Sequence, residues 1–335
     1  MNGIVARARV PASGALRDIQ APVRERLERT VDEMRRIVTD DLPLIRDVSA
    51  HLLQMRGKMF RPTLTLLSSA VTGTPDARAV PLAAVVELMH LATLVHDDSV
   101  DHSVLRRGLP TVNSLFSHQV SVIMGDFLYS RALIALVAMN DLAIIKIITD
   151  VANELSIGEM RQLGAVDALQ FSEAEYLELI RAKTASLLAG ACESGALCGA
   201  PAFRDSLAYY GDRLGMAFQI ADDILDYTAD QSVTGKPSGL DLREHKVTLP
   251  LIAALPKMTG AARARVNELF ATENPDPLLV EDVIGIVADT GGIEYARARG
   301  EAFAHDAEQA LGVLPESPVR VALTDAIAYV MDRRS

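Results

Sequence analysis

The sequence predicts a single all-α domain, on three observations. Apolar residues recur at helical spacing along most of the 335-residue chain, and no stretch alternates apolar and polar as a half-buried strand would. Hydrophobic residues make up 49% of the chain but aromatics only 4%, with no Trp, so the core must be built mainly from Ala, Leu, Val and Ile. No Ser/Gly linker or shift in composition divides the chain.

Taken in order, the first seventeen residues carry Arg7, Arg9 and Arg17 and no acid. A transit peptide has that character, but so does a frayed end, and the expectation is a flexible N-terminus over 1–19 of a cytoplasmic protein. The helical domain then runs over 20–335. Periodicity places helices over 20–38 and 43–55. Pro62 suits the first position of a helix over 62–72, where its missing N–H costs nothing, and Gly73 with Pro75 ends that helix. Helices follow over 77–101, 119–139 and 142–166. Ser172 and Glu175 form an S-x-x-E capping box that opens a helix over 173–199, closed by Gly199 and Pro201. The remaining helices are read over 203–230, 247–256, 260–272, 277–289, 291–312 and 318–332. Segments 103–113 and 232–246, rich in Gly, Pro and basic residues, read as loops.

A formal net charge of −11 argues against general binding to a nucleic-acid backbone, which needs a basic surface. Cys192 and Cys198 fit neither a disulfide framework nor a zinc motif and read as small buried residues in a reducing compartment. No apolar run reaches transmembrane length without a charge or a helix breaker.

Chemistry concentrates in a motif that occurs twice, D-D-x-x-D, as Asp97, Asp98, Asp101 and as Asp222, Asp223, Asp226. At roughly 100° per residue, the first and last Asp of each set lie about 40° apart on the helix surface. Like charges so placed destabilise a helix, and these sit among apolar residues, so they call for a cation. Oxygen-only ligands select a hard ion; magnesium suits best because it shares its shell with substrate phosphates. One such cluster alone is often a solvated acidic helix end; a second embedded copy makes that reading poor. His90 and Thr93 share the stripe of Asp97 and Asp101, and Gln219 lies on the face of the second cluster.

Basic residues gather near these helices. Arg106 and Arg107 follow the first cluster. Lys58 and Arg61 lead into a helix N-terminus, a natural anion site. Lys236 and Lys246 flank the loop after the second cluster, and Lys183-Thr184 lies in an apolar helix. Singly these are ordinary charges; beside two metal clusters they describe a site for two diphosphates.

The stretches GKMFRP, ELMHLATLVHDDSVDHSVLRRGLPT, GDFLYSRA, KTASLL, FQIADDILDYTAD and GKPSGLDLREHKVTLPLI, in this order from 57 to 252, closely resemble the trans-isoprenyl diphosphate synthases. The ending YVMDRRS resembles the family's basic C-terminus. The resemblance implies a single-domain antiparallel helical bundle around a deep central pocket, the isoprenoid synthase fold, usually as a homodimer. It implies about three magnesium ions, with Asp97, Asp101 and Asp222 as direct ligands and Asp98, Asp223 and Asp226 supporting them. Arg106, Lys183 and Lys246 would grip the allylic diphosphate, with Thr184, Lys236 and Gln219 nearby. Lys58, Arg61, His90 and Arg107 would hold isopentenyl diphosphate. Met59-Phe60 departs from the family, which usually has a basic and then an apolar residue there.

Terpene cyclases share the first motif but usually carry an Asn/Ser/Glu metal motif in place of the second. A non-catalytic regulatory subunit would typically lack Asp residues that this chain retains. Product length is read from Ala92 and Thr93, about one turn before Asp97 and roughly 6 Å deeper. In short-chain members bulky residues here act as a floor. The small pair, in a run resembling the long-chain polyprenyl synthases, implies about seven to ten isoprene units, with a farnesyl or geranylgeranyl starter. A short-chain farnesyl or geranylgeranyl diphosphate synthase is the alternative. Val86, Met89 and Phe127 are candidate deeper walls, and release of so long a product suggests peripheral membrane contact.

Overall fold

The computed structural model describes residues 12–55, 57–163, 168–228 and 238–332. The chain forms an all-α bundle. Its helices are α1 (Ala12–Gln20), α2 (Arg24–Val38), α3 (Pro43–Gln54), α4 (Phe60–Ser69), α5 (Ala79–Val100), α6 (Val112–Leu115), α7 (His118–Ala138), α8 (Leu142–Leu163), α9 (Glu173–Ile180), α10 (Ser186–Leu197) and α11 (Arg204–Thr228). The short α12 (Leu240–Arg243) leads to α13 (Leu249–Ala254), α14 (Gly260–Ala271), α15 (Pro277–Asp289), α16 (Gly292–Ala310) and α17 (Pro318–Met331).

The core is a slab of α4, α5, α10 and α11. Helix α10 packs on α4, α8 and α11, while α5 packs on α2, α4 and α7. Helix α5 is apolar nearly all round, with Leu82, Val85, Val86 and Leu88 fully buried, as befits a central helix. Truncating one such Leu to Ala would cost about 2–5 kcal/mol. Helix α11 approaches α10 so closely that a Cβ on Gly211 would lie 2.5 Å from the Leu188 carbonyl oxygen, so only glycine fits there.

Several sequence expectations change in detail. Helix α4 starts at Phe60, so Pro62 is its third residue rather than its first. The position still lies in the first turn, where N–H groups have no intrahelical partner. Residues 12–20, read as mostly flexible, form α1, because Ile19 buries fully where α1 meets α17. Segment 103–113 is not plain loop: Leu105–Arg106 (β1) and Leu109–Pro110 (β2) pair antiparallel. The helix read over 173–199 is broken by a π-helical turn at Arg181–Ala185. The capping box holds, with Ser172 N–H donating to Glu175 Oε2 at 2.8 Å and Glu175 N–H to Ser172 Oγ at 3.3 Å.

By length and composition α5 and α7 are apolar enough to cross a membrane. Helix α5 is the core helix and carries Glu87 and Asp97; α7 carries Asp126 and Arg131 and exposes Val122, Ile123, Ile134 and Val137.

Candidate active site

Helix α5 delivers the first acidic cluster at its C-terminal end. Asp98 is 3% exposed and is clasped by Arg106, whose Nε lies 2.8 Å from each carboxylate oxygen and whose Nη2 lies 2.7 Å from Oδ1. A buried carboxylate so paired is a strut. The side chains of Asp97 and Asp101 make no hydrogen bond or ion pair among the described residues. Burial pushes the Asp97 carboxyl up to about 6, Glu159 and Asp101 add to the rise, and Lys183 and Arg106 oppose it.

Helix α11 carries the second cluster. Asp223 is buried and accepts from Tyr176 Oη at 2.6 Å and from Gln219 Nε2 at 2.8 Å. Burial, with Asp241 nearby, raises its carboxyl to about 8 despite those bonds. Asp226 accepts from the backbone N–H groups of Leu240 and Asp241 at 3.0 Å each, which seats α12 against the site. Asp241 itself is pushed up to about 7, first by burial and then by Asp226. Lys246 donates to Glu244 at 2.7 Å.

A third wall comes from α8 and the π-helical turn. Lys183 Nζ lies 2.9 Å from Glu159 and 2.5 Å from Gln162 Oε1, both on α8. The next residue, Thr184, turns to α11 and donates to Gln219 Oε1 at 2.8 Å. Single π turns of this kind recur at functional sites because they re-aim neighbouring side chains.

The remaining cations meet on the far side of Gln219. Arg107 and Gly108 are the two central residues of the β1–β2 hairpin, at φ 53° and 77°, the left-handed pair that a tight two-residue turn requires. An arginine there is unusual and bears strain. The turn sends Arg106 to Asp98 and Arg107 the other way, where it donates to the Met55 carbonyl at 2.7 Å. The Arg107 guanidinium lies over Gly57, where a Cβ would come within 2.6 Å of it. Met59, left-handed at φ 53°, and Phe60 are buried, and Phe60 packs between Phe218 and Tyr329. Lys58 lies 5.5 Å from the Tyr329 ring centroid. His90 is held well below its usual value by burial first and then by Arg61, Arg107 and Arg106, so it is a neutral imidazole.

Two cavities result. One, of about 590 Å³, has Asp101, Lys183, Asp223, Asp241 and Lys246 in its lining. The other, of about 710 Å³, is lined by Lys58, Arg61, His90, Arg107 and Asp222, with Glu87 among them. Thr184 and Gln219 line both. Of the expected metal and diphosphate residues, Asp97, Asp98, Arg106 and Asp226 line neither cavity, and Lys236 lies outside the described residues. Neither cavity includes the five residues read as setting product length. Val86, Met89 and Ala92 are buried in the core, Thr93 Oγ1 donates to the His90 carbonyl at 2.9 Å, and Phe127 packs against Arg131 on α7.

Glu87, Glu159, Gln162, Tyr176 and Asp241 join the site without having been read from the sequence. Glu87 was within reach, three residues before His90 on the same stripe. The carboxylates fit magnesium. Among the described residues no three His, Cys, Asp or Glu side chains form a ready cage. That suits an ion which takes one or two carboxylates and completes its shell with water and substrate phosphate. The buried acids with raised carboxyls are the complement such an ion would need.

Comparison with known proteins agrees. The family model described as Polyprenyl synthetase matches residues 42–287. An all-trans-nonaprenyl-diphosphate synthase (geranyl-diphosphate specific) of Rhodobacter capsulatus is 39% identical over 318 residues, 94% of this chain and 97% of that protein. The octaprenyl diphosphate synthase of Escherichia coli is 37% identical over 299 residues, 89% of this chain and 92% of its own. Among solved structures, a decaprenyl diphosphate synthase from Rhodobacter capsulatus has a TM-score of 0.90 at 34% identity, covering 97% of this chain and all of that one. A polyprenyl synthase from Caulobacter crescentus, complexed with calcium and isoprenyl diphosphate, has a TM-score of 0.90 at 31% identity, covering 96% and 98%. The fold is therefore the all-α isoprenoid synthase fold, in a family whose members generally depend on magnesium. With both aspartate clusters intact and relatives matched over most of their length, the chain belongs to the polyprenyl synthetase family and is a prenyltransferase that makes trans-polyprenyl diphosphates.

Proposed function

We propose that the protein condenses isopentenyl diphosphate with an allylic diphosphate, head to tail, to give a trans-polyprenyl diphosphate of about seven to ten isoprene units. The observation that carries this is the pair of cavities meeting at Thr184 and Gln219, one lined by carboxylates and lysines, the other mainly by cations. The octaprenyl, nonaprenyl and decaprenyl activities named for its relatives support the length.

The allylic diphosphate would sit by Lys183 and Lys246, and isopentenyl diphosphate by Lys58, Arg61, His90 and Arg107. Asp97, Asp101 and Asp222 would hold about three magnesium ions, which supply charge neutralisation for the leaving diphosphate when bound. Lys183 and Lys246 trade Glu159 and Glu244 for the diphosphate and stabilise the charge left on it as the C–O bond breaks. Arg61 and Arg107 fix the second substrate so that its double bond faces the allylic carbon. The electron pair of that bond forms the new C–C bond, and the proton lost goes to the released diphosphate. Leu94 and Leu188 help keep water from the cation.

A homodimer is proposed from α7. Its exposed Val122, Ile123, Ile134 and Val137 make an apolar face of the kind that a second copy covers. The cytoplasm, with peripheral membrane contact as product leaves, suits an apolar chain of this length. Incubation of the purified protein with labelled isopentenyl diphosphate and geranyl, farnesyl or geranylgeranyl diphosphate, followed by product sizing, tests the whole reading. Products no longer than four units with every starter would refute the long-chain assignment.

A further inference from the structure

We propose that Glu87 is a positioning residue for isopentenyl diphosphate, the fixed counter-ion that aims the guanidiniums of Arg61 and Arg107 at the diphosphate. The inference rests on the isopentenyl reading of the cationic cavity.

Glu87 is 6% exposed and lies in the wall of that cavity. Its Oε2 is buried with no hydrogen-bond partner among the described residues. Burying a carboxylate is costly, and placing one in the wall of an anion site looks self-defeating, because it repels the ligand. The charged groups around it give the reason. Burial raises the Glu87 carboxyl above its usual value, and Arg61 on α4 and Arg107 on the β1–β2 hairpin, which line the same cavity, oppose that rise. His90, one turn along α5, is neutral and offers no compensating charge. Lys58 lines the same cavity but lies over the Tyr329 ring. Two guanidiniums converging without an anion between them would splay apart. Arg107 is especially exposed to this, since it stems from a strained turn and is held at its tip by the Met55 carbonyl. A carboxylate on the stiff central helix would act on both by charge across the cavity wall rather than by a direct hydrogen bond, and arginine's planar fork loses its advantage when its attitude is not fixed.

The sign of the effect separates this role from simple charge. Were Glu87 only a repulsive charge, neutralising it would tighten isopentenyl diphosphate. The positioning role requires the reverse. Steady-state kinetics on the full chain, with thermal melts in parallel, make the test. Glu87→Gln should raise the KM for isopentenyl diphosphate about tenfold and leave the allylic KM and the saturated kcat within about threefold. Glu87→Asp should recover part of the loss. In an Arg61→Lys background the Glu87→Gln effect should shrink, because the two act in one cavity and are coupled by charge. An isopentenyl KM that is unchanged or lower in Glu87→Gln overturns the proposal, as does an equal rise in both KM values. If Glu87→Gln does not fold, Glu87→Asp is read alone, and an unchanged isopentenyl KM overturns it equally. Arg61→Lys by itself guards the premise: if it leaves the isopentenyl KM untouched, the cavity assignment is wrong and the proposal falls with it.

Discussion

Thr184 Oγ1 donates to Gln219 Oε1 at 2.8 Å, and these two side chains form the seam shared by both cavities. The bond fixes the amide so that its nitrogen reaches Asp223 at 2.8 Å. Thr184→Val keeps the shape and removes the donor. Turnover should drop about tenfold to a hundredfold with small changes in either KM, at a stability cost of about 1 kcal/mol. A variant with wild-type kcat would show that the seam only packs.

Metal dependence is the second expectation. Chelator should abolish activity and magnesium restore it. Asp97→Ala and Asp222→Ala should each lower turnover about a thousandfold or more. Near-normal rates in either variant would mean that only one wall matters.

The two diphosphate sites should separate kinetically. Arg107→Ala and His90→Ala should mainly raise the KM for isopentenyl diphosphate, and Lys183→Ala that for the allylic starter, by about tenfold or more each. Equal effects of all three on both constants would undo the division of cations between the cavities.

Stability should depend on pH in an unusual direction. The carboxyls of Asp223, Asp241 and Asp97 are pushed up to about 8, about 7 and about 6, chiefly by burial. An acid so raised binds more protons folded than unfolded between about pH 4 and its folded value, so stability falls as pH rises through that window. The metal-free protein should melt several degrees lower at about pH 8 than at about pH 6. Magnesium with inorganic diphosphate, which needs the ionised acids, should protect most at the alkaline end. A melting temperature that climbs from about pH 6 to about pH 8 without metal contradicts the buried-acid account.

Product length offers a substitution test. Thr93→Phe and Ala92→Phe should shorten the product to about three or four units. Ala92 is 1% exposed, so a ring there overpacks the core by about 1–3 kcal/mol, whereas Thr93 is partly exposed and accommodates it more easily. If neither change alters the products, the growing chain takes another path.

Much of the fold and site is legible in the chain itself. The helices over 43–55, 142–166 and 277–289 appear within a few residues because their apolar stripes keep one period. The aspartate clusters are legible because like charges crowded in apolar surroundings, twice over, are too costly to keep without a cation. Glu159 and Asp241 are not, since a single acid on a mixed helix face or in a loop looks like any solvated charge. Their meaning comes from Lys183 and Asp226, which only folding brings alongside. The role of Arg106 as a strut for Asp98 is hidden likewise, because adjacent arginines look equivalent until the hairpin parts them.

The π turn at Arg181–Ala185 amounts to one residue of surplus arc stored inside a continuous rod. It joins the segment bearing Tyr176, whose hydroxyl reaches Asp223, to the segment buried against α4 and α11. Deleting one residue there would let the rod regularise. The segments on either side would keep their phase, because the surplus residue is what the turn absorbs, and the change would fall on the turn itself. Tyr176 would stay near Asp223, but Lys183 and Thr184 could no longer address α8 and α11 at once. Tolerance in this stretch should therefore be set by residue count more than by residue identity, and length variation between homologous chains should avoid it while substitutions need not.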